Sequence, residues 1–292
     1  MNLIEGFTEQ LREEERSQNT IYNYLLVIKD FFKWFEGTYD KEPTILYAQN
    51  VKDYVQFLQT VKRRVPTAKT INAKIASLQK YNVYLVSIGV QTDIVVTQSH
   101  RRKVQQQFAS PAKFTEKDVN KFMLVVIEKG NSRNLALVTL LAYTGCRISE
   151  ALNIIIDKDL YLSSNELVIR EGKGDKERTV LLNDKVVDAI KEYLKIRQEH
   201  KHADSPYLFV SNKRERMSRI TANDVFTQYS QKAGFEHVLS PHDLRHYFCS
   251  NALENGFDVH EVANIVGHSN IHTTLLYTNP TRKKMLDKLN KL

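Results

Sequence analysis

Apolar residues recur with helical spacing through the first hundred positions. Between Asn19 and Glu36, the residues Ile21, Leu25, Ile28, Phe32 and Phe35 follow one another at steps of four and three. That spacing puts all of them on one face of an amphipathic helix. Val51, Val55, Leu58 and Val61 repeat the pattern more weakly, and Ile71, Ile75, Leu78, Tyr81, Leu85 and Ile88 repeat it over Thr70 to Ile88. Three or four helices with short connections predict a small helical domain over 1–95. The rhythm stops between Gln91 and Pro111, where Ser99, His100, Arg101, Arg102 and Lys103 precede Gln105, Gln106 and Gln107. This stretch reads as a linker, placed at 96–112, whose basic cluster either follows a phosphate backbone or is a solvated hinge.

Beyond Pro111 the pattern is mixed. Thr115 and Asp118 form a helix N-cap pair ahead of Val119, Phe122 and Val126. A second helix is predicted from Ser132 to Thr144, with Gly145 in the left-handed position after it. Glu166 to Arg170 and Arg178 to Leu182 read as strands, joined by a connection from Glu171 to Glu177 rich in turn residues. Asp184 to His200 is helical, with Val187, Ile190, Leu194 and Arg197 to one side, and further helices start at about Thr221, Pro241, Asp258, Ile271 and Thr281. The predicted fold class is mostly α with a small antiparallel β-sheet in the second domain, 113–292.

At 292 residues the chain is long enough for a sizeable core in each of two domains. Lys and Arg number 42 against 34 Asp and Glu, a net charge of +8. Such an excess suits a polyanionic partner, because neutralised phosphates release counterions; the plainer alternative is a merely basic soluble protein. Cys146 and Cys249 give no disulfide framework. The N-terminus lacks an apolar run after a basic start, and no stretch approaches the ~20 apolar residues of a membrane span. The expectation is a soluble, cytoplasmic protein.

Candidate chemistry concentrates in Ser240-Pro241-His242-Asp243-Leu244-Arg245-His246. Ser240 suits an N-cap and Pro241 the first helical turn. His242 and Arg245, three apart, then share a face close to a helix N-terminus, where donors and the positive dipole end favour an anion. The alternative is an ordinary helix start with surface charges. Upstream stands Thr144-Gly145-Cys146-Arg147-Ile148-Ser149-Glu150; downstream stand Gly267-His268-Ser269 and, nine residues after that histidine, Tyr277.

These stretches in this order, TGCRISE, GKGDKER, HDLRH, GHS and LLYTNP, resemble the tyrosine recombinase family of phage integrases and bacterial Xer recombinases. The resemblance is strongest from Thr115 to Pro280 and extends more weakly to the N-terminal helices, which fit that family's helical core-binding domain. Val266 departs from the leucine many relatives carry before the Gly-His pair, but it keeps the position apolar.

The resemblance implies a catalytic set of Arg147, Lys173, His242, Arg245, His268 and Tyr277. Tyr277 would be the nucleophile, forming a phosphotyrosine without metal or ATP. Arg147 and Arg245 would fork onto non-bridging phosphate oxygens and His268 would donate a hydrogen bond to the same phosphate. Lys173, with Lys176 as a rival in the same loop, would protonate the departing 5′ oxygen, and His242 would act as acid, base or hydrogen-bonding group. Glu150 supports the arginine segment, and Cys146 reads as a small packed residue. No cofactor and no metal are implied. The implied partner is double-stranded DNA with an inverted-repeat core site, held in a two-domain clamp. A homodimer on each site would form a tetramer in the synapse and exchange strands through a Holliday junction. A helix from Thr281 to Leu292 would dock on a neighbouring protomer or fold back on its own domain.

Two other readings fit parts of the chain. Val262 to Ser269, followed by Thr273 and Thr274, has the spacing of a helix-turn-helix regulator. His242 with His246, and His268 with His272, have the four-residue spacing of a zinc pair, although Arg245 would repel a cation. Among recombinase roles, the N-terminal part shows no arm-binding domain. That favours a simple resolvase of the Xer or transposon type, while resolution of dimers, resolution of cointegrates and movement of a mobile element all use this chemistry.

Overall fold

The computed structural model describes residues 3–60, 65–104, 113–170, 177–268 and 271–275, without the side chain of His272. Lys173, Lys176, Tyr277 and the helix expected over 281–292 lie outside the described residues. The chain divides into two compact units, Met1–Gln106 and Gln107–Leu292.

The first unit is built from α1 (Leu3–Glu13), α2 (Gln18–Tyr39), α3 (Ala48–Thr60) and α4 (Ala68–Ser87). Ser17 and Thr67 cap α2 and α4 by accepting from the backbone N–H groups of Thr20 and Thr70. The periodic positions Ile21, Ile28, Phe35, Val51, Val55, Leu58, Ile71, Ile75, Leu78, Tyr81 and Leu85 are buried as their spacing predicts; Leu25 and Phe32 are half-buried, and Ile88, just past the end of α4, is exposed. Phe31 and Tyr54, outside those repeats, meet edge to face at 5.2 Å in the same core.

The segment after α4 keeps close to this unit, although its composition suggests a linker. The Asn82 Oδ1 accepts from the backbone N–H groups of Val95 (2.7 Å) and Val96 (2.9 Å). Gln91 reaches both backbone groups of Leu46, and a ring nitrogen of His100 lies 3.1 Å from the carbonyl of Ala48. Asn72 clasps the backbone of Arg102 in the same way. The stretch through Arg102 therefore belongs to the first unit. Buried amides replace the apolar periodicity on which the linker expectation rested.

The second unit contains α5 (Glu116–Lys129), α6 (Ser132–Thr144), α7 (Ile148–Leu152) and α8 (Ile156–Asp159). Strands β1 (Leu160–Tyr161), β2 (Glu166–Arg170) and β3 (Glu177–Leu181) follow, and then α9 (Asp184–Arg197), α10 (Arg219–Lys232), α11 (Pro241–Glu254), α12 (Val259–Val266) and α13 (His272–Leu275). The strands form one antiparallel sheet in the order β1-β2-β3, with Leu167 opposite Val180 and Ile169 opposite Arg178. The two-residue β1 is too short to show a period and was not predicted. α6 is buried continuously from Ala136 to Ala142 and packs against α5, α9 and α11, so it is the central helix. Thr115 and Asp118 cap α5 reciprocally, as their spacing predicts.

Candidate active site

The site begins at the N-terminus of α11. Ser240 and Asp243 form a capping box, with Asp243 Oδ2 accepting from the Ser240 N–H at 2.8 Å and from its hydroxyl at 2.6 Å. Pro241 occupies the first turn. This fixes where Arg245 lies one turn later. Arg245 is 4% exposed, and its Nη1 donates to the Gly145 carbonyl at 2.6 Å and its Nη2 to the Val266 carbonyl at 2.7 Å. Both acceptors belong to helix C-termini, those of α6 and α12, where carbonyls lack helical partners and the dipole favours a cation. Each of these helices ends on a left-handed glycine, Gly145 at φ 60° and Gly267 at φ 68°. A β-carbon on Gly145 would also collide with Phe248 and Val266.

Arg147 stands two residues after Gly145, at the N-cap position of α7. Its Nη1 donates to Glu150 Oε1 at 2.7 Å, its backbone N–H to Oε2 at 2.7 Å, and its Nη2 to the Gly267 carbonyl at 2.9 Å. Arg178 on β3 approaches the same carboxylate, with Nη1 3.1 Å from Oε1 and Nη2 2.8 Å from Oε2. Burial alone would raise the pKa of Glu150, but the hydrogen bonds from Arg178 and Arg147 outweigh it and hold the carboxyl below its ordinary value. Arg245 feels both neighbours: burial pushes its pKa down first, and the charge of Arg147 pushes it further. Among the described residues, Arg147 and Arg178 both bind the buried Glu150 carboxylate and Arg245 stands close enough to feel its charge, so cations outnumber this one acid.

His268 Nδ1 lies 2.8 Å from the hydroxyl of the fully buried Thr274. Burial, then the charges of Arg245 and Arg147, hold the His268 imidazole down at about 4, so the ring is neutral at pH 7. His242 is exposed, and its Nε2 lies 2.9 Å from Nε2 of His246, a hydrogen-bond distance that requires one bridging proton. Burial and then the neighbouring His242 lower the pKa of His246. Arg147, His242, Arg245 and His268 line one open cavity of about 790 Å³, and Arg219, Asn223 and Thr227 of α10 line it as well. The thiol of Cys146 is buried and pushed up to about 11, which suits packing and not nucleophilic attack.

Of the expected catalytic residues, Arg147, His242, Arg245 and His268 come together here; Lys173 and Tyr277 lie outside the described residues. His242 and His246 form a hydrogen-bonded pair. Among the described residues no group of three His, Cys, Asp or Glu side chains is arranged to hold a metal. Arg178, Arg219 and Asn223 were not anticipated. Arg178 did leave a signal, because it alternates in phase with Val180 and Leu182, whose side chains are buried, and a cation on the core-facing side of a strand needs a partner. The stripe Arg219, Asn223 and Thr227 has helical spacing, but its meaning depends on the cavity beside it.

Comparison with known proteins agrees with this geometry. Residues 112–284 match the phage integrase family and residues 4–89 its N-terminal SAM-like domain.

The chain belongs to the phage integrase family.

It is a tyrosine recombinase, an enzyme of DNA strand cleavage and rejoining, and the regulator reading finds no support in the comparisons. It is 48% identical over 293 residues to the TnP I resolvase of Bacillus thuringiensis, covering 100% of both chains. It is 31% identical over 286 residues to tyrosine recombinase XerA of Pyrococcus furiosus, covering 97% of this chain and 91% of that one. A crystal structure of XerA recombinase superposes with a TM-score of 0.56 at 27% identity over 99% of this chain and 97% of the other. The fold is also that of XerH site-specific recombinase bound to palindromic difH substrate, with a TM-score of 0.76 at 19% identity over 97% and 84% of the two chains. Among the described residues no helix is long and apolar enough to cross a membrane.

Proposed function

We propose that the cavity receives the scissile phosphate of a double-stranded DNA site and that Tyr277 attacks it. The observation that carries this reading is the convergence of Arg147, Arg245 and His268 on one cavity, with the buried Glu150 carboxylate beside the guanidiniums of Arg147, Arg178 and Arg245 among the described residues. Two of the five N–H donors of Arg245 bond carbonyls, which fixes the plane of its fork beside the cavity that it lines. Nδ1 of neutral His268 pairs with the Thr274 hydroxyl, and in the tautomer that carries its proton on Nε2 the ring donates there to a phosphate oxygen.

In the proposed step the Tyr277 oxygen bonds to phosphorus as the bond to the 5′ oxygen breaks. The phenol proton passes to His242, which shares its proton position with His246, and Lys173 supplies a proton to the departing 5′ hydroxyl. The 3′-phosphotyrosyl link keeps the bond energy, and attack by the 5′ hydroxyl of a second strand reverses the step. The cationic cavity stabilises the charge that develops at phosphorus. Arg101, Arg102 and Lys103 supply further phosphate contacts from the first unit. A dimer on each inverted-repeat site and a tetramer in synapsis complete the reaction. The 48% identity to a TnP I resolvase over the full chain supports resolution of transposon cointegrates as the biological role.

Covalent trapping tests the reading. The full chain and its Tyr277→Phe variant are incubated, with chelator, with labelled DNA carrying the recombination site and a nick that traps cleavage. The expected result is a protease-sensitive adduct on a denaturing gel with the wild type alone. Tight binding by both proteins with no adduct from either would overturn it.

A further inference from the structure

Arg178 sits where three parts of the site meet. Its two Nη groups fork onto the Glu150 carboxylate at 3.1 and 2.8 Å, and its Nε donates to the Ile265 carbonyl at 2.9 Å. The guanidinium also fills the space beside Gly267, where a β-carbon would come within 2.7 Å of Nη1. Each contact leads to a group proposed to hold the phosphate. Glu150 binds the guanidinium and the backbone N–H of Arg147. Ile265 belongs to the last turn of α12, whose Val266 carbonyl holds Arg245. Gly267 offers its carbonyl to Arg147 and precedes His268. The Arg178 side chain is only 14% exposed and does not line the cavity.

We propose that Arg178 is a positioning residue for strand cleavage, which keeps the Glu150 carboxylate charged and α12 in register so that Arg147, Arg245 and His268 present their donors to one phosphate. The proposal rests on the recombinase reading above. Arg178 does not touch the DNA in this account; it acts through Glu150 and the end of α12. A planar fork is required because two carboxylate oxygens and a carbonyl must be met from fixed directions, which a single ammonium cannot do.

The proposal makes a pH-dependent claim that a purely structural arginine would not. Glu150 faces Arg147 from its own helix, Arg178 from β3, Arg245 from α11, and the buried Cys146 thiol. Without the Arg178 charge, burial is opposed by fewer cations, so the carboxyl protonates at higher pH and loosens its hold on Arg147.

The test compares single-turnover cleavage at saturating nicked DNA, across pH, for wild type, Arg178→Met, Arg178→Lys and Glu150→Gln. Folding is followed by thermal melting and DNA affinity by gel shift. Arg178→Met should bind DNA within about threefold of wild type and cleave about a hundredfold more slowly, with the acid limb of its profile moved to higher pH. Arg178→Lys, which keeps the charge but loses the fork, should cleave about tenfold more slowly with the limb unmoved. Glu150→Gln should abolish that limb. If Arg178→Met does not fold, the Lys variant and Glu150→Gln carry the test. Cleavage within threefold of wild type in the folded Arg178 variants would overturn the proposal. So would a loss of DNA affinity that accounts for the whole defect. A wild type that forms no adduct brings down the recombinase reading, whereas a wild-type adduct with unaffected Arg178 variants brings down this inference alone.

Discussion

The two units bury polar groups to different ends. In the first, every featured polar side chain is matched by an uncharged or opposite partner: Asn82 with the backbone of Val95 and Val96, Gln91 with Leu46, and Lys74 with Asp30, which also accepts from Tyr54. Those pairs staple a chain segment or close a core. In the second unit, among the described residues, Arg147 and Arg178 bind one buried carboxylate, and Arg245 rests beside them on carbonyl dipoles at helix ends. Dipoles hold the guanidiniums in place without cancelling their charge. Charge balance marks the first network as structural, and charge excess beside an open cavity marks the second as a place for an anion.

The comparison is most exposed to failure at Arg245. Arg245→Ala should lower single-turnover cleavage by about a thousandfold while DNA affinity falls far less, because the guanidinium stabilises charge that develops during the reaction. An equal loss in affinity and rate would make Arg245 a general DNA-binding residue. In the first unit Phe31→Ala should instead cost about 3–5 kcal/mol of stability in denaturant unfolding. Cleavage by the molecules that remain folded and DNA-bound should be unchanged. Asn82→Ala should cost about 1–3 kcal/mol, since it strands the buried N–H of Val96 and the half-buried N–H of Val95. Inorganic phosphate, drawn to the cationic cavity, should raise the Tm of the wild type, and raise it less in Arg245→Ala. Equal shifts would place the anion elsewhere.

A pH dependence of stability is also expected. His268 has a folded value of about 4 against an ordinary 6.5, so folding favours the neutral ring. Its contribution to stability is fully present above about pH 6.5 and is lost as pH falls from there toward 4. Denaturant unfolding of wild type and His268→Gln across this window should show a steeper loss in the wild type. Parallel curves would mean that the ring is not held neutral by its surroundings.

The legible and illegible parts of the chain differ in physical kind. Helices over Asn19 to Glu36 and Thr70 to Ile88 were readable because one apolar face repeats with the helical period. The helix ends were readable where a cap has its own chemistry: Thr115 with Asp118, Ser240 with Pro241, and Gly145 after Thr144. The segment from Gln91 to Arg102 misled because amides and a histidine anchor it, leaving no apolar rhythm. Of the site, Arg147, His242, Arg245 and His268 could be chosen from motif and spacing. Arg178 was hidden in a strand, where its inward phase looked like part of a short alternating pattern.

The sequence by itself determined the long amphipathic helices, several of their caps and which residue types are available for phosphate chemistry, because period, capping and motif are local properties of the chain. The tertiary structure alone decided the electrostatic state of the site. It brought Arg147 to a carbonyl 120 residues away and Arg245 to one 100 residues away. It also closed Arg178 onto Glu150 across 28 residues. Burial and distance set whether a charge is cancelled, shared or left in excess, and both depend on which elements pack together, so no local pattern encodes them.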